Sequence, residues 1–195
     1  MSTSKHFSAA IAAFIIWGFF SLALKPLHHY PSLDILFYRV FLCVILMLGI
    51  NLIFRRNVLK ETKDNFLAMS KKQKKEAFLL TLGGAILLTA NWFFFIYVMN
   101  HVSVKSAAFA YLVCPILTTV FAYFILEEKL NKWQWTAVAL SVFSCILLGF
   151  NHLMDVFYSV IIAATYALYL VSQRKNKAID KFLLLTLQLT TSAVM

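Results

Sequence analysis

Charged residues are scarce in this chain. Asp, Glu, Lys and Arg make up 13% of its 195 residues, against about 25% in a soluble domain. Apolar residues reach 62%, where a soluble domain has about 45–50%. A water-soluble core could not absorb that excess, so a polytopic, all-α membrane protein is expected. Cysteine is equally thin. Cys43, Cys114 and Cys145 fall in three different apolar segments, with no metal-type spacing and no pairing pattern. That excludes a disulfide framework and leaves them as small buried apolar residues. No clustered catalytic or metal-binding set exists, so neither an enzyme nor a cofactor is expected. No stretch interleaves basic residues with stacking aromatics, so nucleic acid is not expected as a partner despite a formal net charge of +10.

What the chain does have is length in its apolar runs. They cover residues 7–24, 35–54, 77–100, 106–126, 133–150, 156–172 and 182–195. A bilayer core about 30 Å thick needs about 20 apolar residues, and about 17 suffice in a thin membrane. Six runs qualify as full spans. The seventh stops at Met195 after 14 residues, still apolar, so the chain reads as a fragment or an interrupted protein.

The cations sort these spans. The amino terminus and alternate gaps carry Lys5, then eight residues from Arg55 to Lys75, then Lys129 and Lys132, then Arg174, Lys175, Lys177 and Lys181. These are 15 of 18 Lys and Arg. A bias of this kind puts the cation-rich side, and the amino terminus with it, in the cytoplasm. Trp133 and Trp135 lie at the same boundary, where amphipathic rings prefer to sit. The first span is longer than a signal-peptide core and has no small-x-small site before Lys25. The 55–76 gap should hold a short amphipathic helix on the membrane surface, with Phe66, Leu67 and Met69 toward lipid.

Polar groups inside spans are costly and are therefore the first candidates for function. Arg39 lies five residues after Asp34, about 7.5 Å deeper and roughly 140° round the helix. The two make a poor pair, so Arg39 needs a partner on another helix, a wet cavity or a path outward. It is either an anchor near the outer face or part of a substrate path. Asn91 and Trp92 sit mid-span with Tyr97 and Asn100 beyond, and Trp92 and Asn100 share a helix face. The Asn91 amide must bond a neighbouring helix or a solute. Gly83 and Gly84 permit close backbone approach. Pro115 frees the Tyr111 carbonyl, and the resulting kink should face other helices or a cavity. Ser103, Ser106, Ala107 and Ala110 have the spacing of a packing seam. Trp17 lies mid-span, as filler or as a ligand platform. His28 and His29 lack a third metal ligand, and the His29–Asp34 spacing matches that of glycerolipid acyltransferases only by chance.

Certain strings carry a family resemblance. NWFFFIYVMNHVSVKSAAFAYLVCPILTTVFAYFILEEKLNKWQWTAVAL at 91–140, WGFFSLALKPL at 17–27, DILFYR at 34–39 and YALYLVSQRK at 166–175 resemble the RarD branch of the EamA permeases, in the drug/metabolite transporter superfamily. The resemblance implies a ten-helix fold of two inverted five-helix repeats, with residues 1–150 the first repeat and 151–195 the start of the second. It implies a permease of the bacterial inner membrane moving small metabolites or drugs by alternating access. The candidates for lining the cavity are Trp17, Arg39, Asn91, Trp92, Tyr97, Asn100, Tyr111, Pro115 and Tyr166. The family usually has Glu at Asp34, His at Tyr38, Gly at Ala110, and an acidic residue in span seven where Gln188 stands. The implied partners are a small-molecule substrate and the lipid bilayer, and a homodimer is allowed. The competing expectation is a non-transporting multispan subunit, or an inactive fragment that needs a partner chain.

Overall fold

The computed structural model describes residues 3–19, 22, 24–27, 29–149 and 153–195. Every regular element in them is helical. α1 is Thr3–Gly18, α2 Ser32–Phe54, α3 Arg56–Ala68, α4 Lys71–His101, α5 Val104–Leu126, α6 Lys132–Gly149, α7 Leu153–Lys175 and α8 Lys181–Val194, with a 3-10 turn at Lys25–Leu27. α2, α4, α5 and α7 are each long and apolar enough to cross a membrane. These are four of the six full spans expected. Among the described residues α1 has 16 residues, α6 has 18 and α8 has 14.

Local chemistry sets the boundaries. Ser70 Oγ accepts from Gln73 N at 3.3 Å while Gln73 Oε1 accepts from Ser70 N at 3.0 Å. This capping box satisfies two otherwise orphaned donors. It starts α4 at Lys71, six residues before the apolar run, and carries the helix to 31 residues. Ser103 caps α5 through Ser106 N. Asn131 and Gln134 close a reciprocal pair ahead of α6, both at 2.8 Å. Asp180 caps α8 through Phe182 N and Leu183 N. α5 ends on Glu127, whose φ of 56° and ψ of 32° are left-handed.

α4 is the central helix, packing on α2, α5, α7 and α8. Its contacts with α7 run from Ala77–Asn176 to Asn91–Ile162, which makes the pair antiparallel. α2 and α8 are antiparallel as well, tied by Asn51–Thr186 and by Arg55–Asp180. The most extensive contact joins α5 and α7, which run parallel. Ser159 donates to Ser106 O at their starts, and Arg174 pairs with Glu128 near their ends. Along that seam Ser106, Ala110 and Cys114 meet Ser159, Ala163 and Ala167, all buried. Four-residue spacing on both helices keeps the small side chains on facing stripes.

These pairings bring Arg55, Ala77, Glu128, Arg174, Asn176 and Asp180 to one end of the bundle, the cation-rich one. α3 is amphipathic and docks there through Leu59 against Ile179, Leu183 and Leu184. Leu67 stays exposed, while Phe66 is half-buried and Met69 lies beyond the helix end. Every α1 side chain described is exposed.

Candidate intramembrane polar site

Arg39 finds its partner across the α2–α4 contact. Its guanidinium carbon lies 3.8 Å from the centroid of the Trp92 ring. A cation over an indole face is held by the ring quadrupole, worth about 2 kcal/mol or more when desolvated. Eight residues along α4, Asn100 Nδ2 reaches Ser32 Oγ at 3.4 Å, again on α2. Trp92 and Asn100 thus share the α2-facing side of α4, as their spacing requires. Behind Trp92, Phe95 meets Tyr111 of α5 edge-on at 5.6 Å, and Tyr111 lies close enough to Arg39 to interact electrostatically.

A cleft of about 750 Å³ opens along α2 beside this pair. Tyr30, Asp34, Tyr38 and Arg39 supply its polar lining, and Leu24, Leu27 and Leu42 much of the remainder. The lining therefore includes a carboxylate, a guanidinium and two tyrosines. Such a cleft, apolar with a few polar groups, is what a small amphiphilic solute requires.

Other expected lining residues are placed differently. Asn91 is buried, and its Nδ2 donates to Ile162 O at 2.8 Å and to Thr165 Oγ1 at 3.4 Å. Its amide is a tie between α4 and α7. Tyr97 stacks between Phe93 and His101 and is exposed. Tyr166 is half-buried and stacked on Tyr169, with centroids 5.9 Å apart. α5 runs as one helix through Pro115, whose side chain is exposed instead of facing a neighbouring helix. The turn is held locally by Thr118 on Cys114 O and Thr119 on Pro115 O, both 2.8 Å. The Trp17 side chain lies outside the described residues.

A second polar cluster sits nearer the cation-rich end. Gln188 of α8 is fully buried, and its Oε1 accepts from Gln173 Nε2, which also donates to the Tyr169 hydroxyl at 2.9 Å. Gln188 Nε2 has no partner among the described residues. It lies against Gly84, where an added Cβ would stand 2.1 Å away. Close by, buried Asn51 donates to Thr186 Oγ1 at 2.8 Å, and Thr89 donates to Ser192 Oγ at 2.7 Å. Sequence reading singled out only Gln188 here. Asn51 and Thr186 were findable by the rule that flagged Arg39, since each is a polar group inside an apolar run.

Among the described residues no group of His, Cys, Asp or Glu could hold a metal ion. No solved structure matches the chain. The EamA-like transporter family matches residues 5–150, from α1 to the end of α6. The uncharacterized transporter YojE of Bacillus subtilis is 28% identical over 89% of this chain and 57% of its own length. Protein RarD of Escherichia coli K12 is 27% identical over 68% of this chain and 42% of its own. An uncharacterized transporter of Vibrio cholerae is 30% identical over 82% of this chain and 49% of its own. The chain therefore spans about half the length of the curated relatives it matches. Apolar helices of spanning length and a match over three-quarters of the sequence agree on a multi-pass membrane protein, and the chain belongs to the EamA-like transporter family, as a RarD-type member.

Proposed function

We propose that the chain is the amino-terminal portion of a permease that moves small amphiphilic metabolites or drugs across the bacterial inner membrane by alternating access. The observation that carries this reading is the Arg39–Trp92 pair beside a 750 Å³ cleft. A guanidinium at membrane depth is expensive to maintain, and an indole face supplies attraction without neutralising its charge. An anionic group that enters the cleft can add to that contact. Asp34 in the same cleft favours a solute that also carries a donor or a cation.

The family match from residue 5 to 150 supports one five-span repeat, followed by the start of a second inserted the other way up. In that arrangement α7 enters the membrane from the side opposite to α1, and substrate sites lie where the halves meet. The cation bias supports a cytoplasmic amino terminus. A reporter fused at residue 65 should report from inside the cell.

Efflux of anionic and zwitterionic metabolites from cells expressing Arg39→Ala, Arg39→Lys or Trp92→Ala tests the site. Arg39→Ala and Trp92→Ala should each abolish flux at unchanged membrane levels. Arg39→Lys should weaken it, because a compact ammonium lacks the planar stacking surface. Wild-type flux from both alanine variants would remove the pair from the transport path.

A further inference from the structure

At the cation-rich end, where the start of α4 meets the turn between α7 and α8, a crevice of about 280 Å³ holds both signs of charge. We propose that it binds the phosphoethanolamine headgroup of a zwitterionic phospholipid.

The argument begins with Asn176. This residue is only 2% exposed, and its Nδ2 donates across to Ala77 O and Thr81 Oγ1 on α4, both at 3.4 Å. The amide oxygen then has no donor among the described residues. Buried acceptors are rarely left so, and Asn176 is one of the residues that line the crevice. It calls for an incoming N–H or O–H group. Glu76 and the Gln73 side chain stand on the same wall, and Glu76 adds a second acceptor, formally charged.

The opposite requirement comes from Lys175 and Lys177, which flank Asn176 in the sequence and line the same space. Two ammonium groups favour a phosphate, whereas a carboxylate and an unbonded amide oxygen favour a cation. One ligand that answers both carries a phosphate and an ammonium a few bonds apart. A lone water would satisfy Asn176, but the crevice exceeds the roughly 30 Å³ a water occupies. It is also below the roughly 300 Å³ at which sites for drug-sized ligands begin.

Position argues for a lipid over a soluble phosphate. The crevice lies where the apolar length of α4 begins, at the depth headgroups occupy. A headgroup seated here would bridge α4 to the α7–α8 turn.

The test uses the purified chain in detergent micelles, with binding of short-chain lipids read by native mass spectrometry and by the shift in unfolding temperature. Phosphatidylethanolamine should bind about tenfold more tightly than phosphatidylglycerol, the scale of one charge-assisted hydrogen bond. Glu76→Gln, at an exposed position, should abolish that preference, and Lys175→Gln with Lys177→Gln should weaken both lipids. Equal binding of the two lipids by wild type would overturn the proposal, as would an undiminished preference in Glu76→Gln. Soluble O-phosphorylethanolamine binding as tightly as the lipid would also overturn it, by assigning the crevice to a free phosphate. None of these readouts depends on transport, so they stand or fall apart from the permease reading.

Discussion

Two adjacent glycines in α4 should respond oppositely to the same substitution. An alanine Cβ at Gly83 would meet nothing within 4 Å, whereas one at Gly84 would stand 2.1 Å from Gln188 Nε2 and 3.1 Å from its Cδ. Both positions gain the same backbone term, about 0.5–1 kcal/mol for replacing glycine inside a helix. Only Gly84→Ala adds overpacking, typically about 1–3 kcal/mol. Gln188 cannot simply swing aside, because it is fully buried and its Oε1 is held by Gln173. Subtracting one variant from the other cancels the backbone term and leaves the clash, about 1–3 kcal/mol. Unfolding by SDS titration in mixed micelles, followed by tryptophan fluorescence, measures both. Gly83→Ala should be stabilised and Gly84→Ala should fall below it by that amount. In a Gln188→Ala background the difference should vanish. If the two alanines shift stability together, or if the gap survives removal of Gln188, the close approach of α4 and α8 at this point is wrong.

The remaining predictions concern caps, ties and strain. Hydrogen bonding from Arg55 at 2.8 Å, helped by the Leu183 and Phe182 N–H groups, holds the Asp180 carboxyl below its usual range. A depressed carboxylate stabilises the fold fully above its unfolded value of about 3.9 and loses that contribution as pH falls through the lower folded value. Asp180→Asn should therefore flatten the acid limb of a stability–pH curve, and Asp180→Ala should also cost about 1 kcal/mol from the lost cap. Asn91→Ala breaks the tie to Ile162 and should loosen the bundle by about 0.6–2 kcal/mol, visible as a lower unfolding midpoint with no change in spectroscopic helix content. Glu127→Gly should raise stability by about 1 kcal/mol, since a left-handed backbone costs a side-chain-bearing residue about that much; an unchanged midpoint would mean that the turn relaxes.

Much of the fold was legible because hydrocarbon length and cation bias act on whole segments. Apolar runs located α2, α4, α5 and α7, and their alternation foretold that Arg55, Arg174 and Lys181 would gather at one end. That Arg39 needs a partner on another helix, a wet cavity or a path outward was legible too, as was the shared face of Trp92 and Asn100. The partner's identity was not, because rotation of α2 against α4 is set by packing that periodicity does not encode. Hydropathy also missed the start of α4, which a Ser70–Gln73 capping box places inside a polar stretch. Pro115 shows the same limit. A proline fixes where donors are lost but not which way the face turns, and here Pro115 is exposed while the adjacent half-buried threonines bond the turn. The polar cluster on α8 was hidden for a further reason. Asn51 and Thr186 are 135 residues apart, and nothing local to either marks the other.

The bundle is held together by two kinds of contact, and they differ in how readily they can be remade. Between α5 and α7 the facing surfaces are small, with Ala110, Ala163 and Ala167 at most 1% exposed. In lipid there is little hydrophobic drive between helices, so such a seam depends on close van der Waals fit, which any sliding destroys. α8 is fastened to α2 and α4 by discrete side-chain bonds, through Asn51–Thr186, Thr89–Ser192 and Arg55–Asp180. Intramembrane hydrogen bonds average only about 0.6 kcal/mol, because the separated helices find other partners. α2 and α8, held to α4 by Ser32–Asn100 and Thr89–Ser192, can therefore shift against α4 at smaller cost than α5 can shift against α7. Arg39 and Trp92 lie across that softer boundary. A cation–π contact tolerates lateral displacement better than a directional hydrogen bond, so the guanidinium can remain over the indole while the helices move. A solute that pairs with Arg39 in one arrangement and not in the other would then shift the balance between the two arrangements by the difference in its binding energy, and by no more than that.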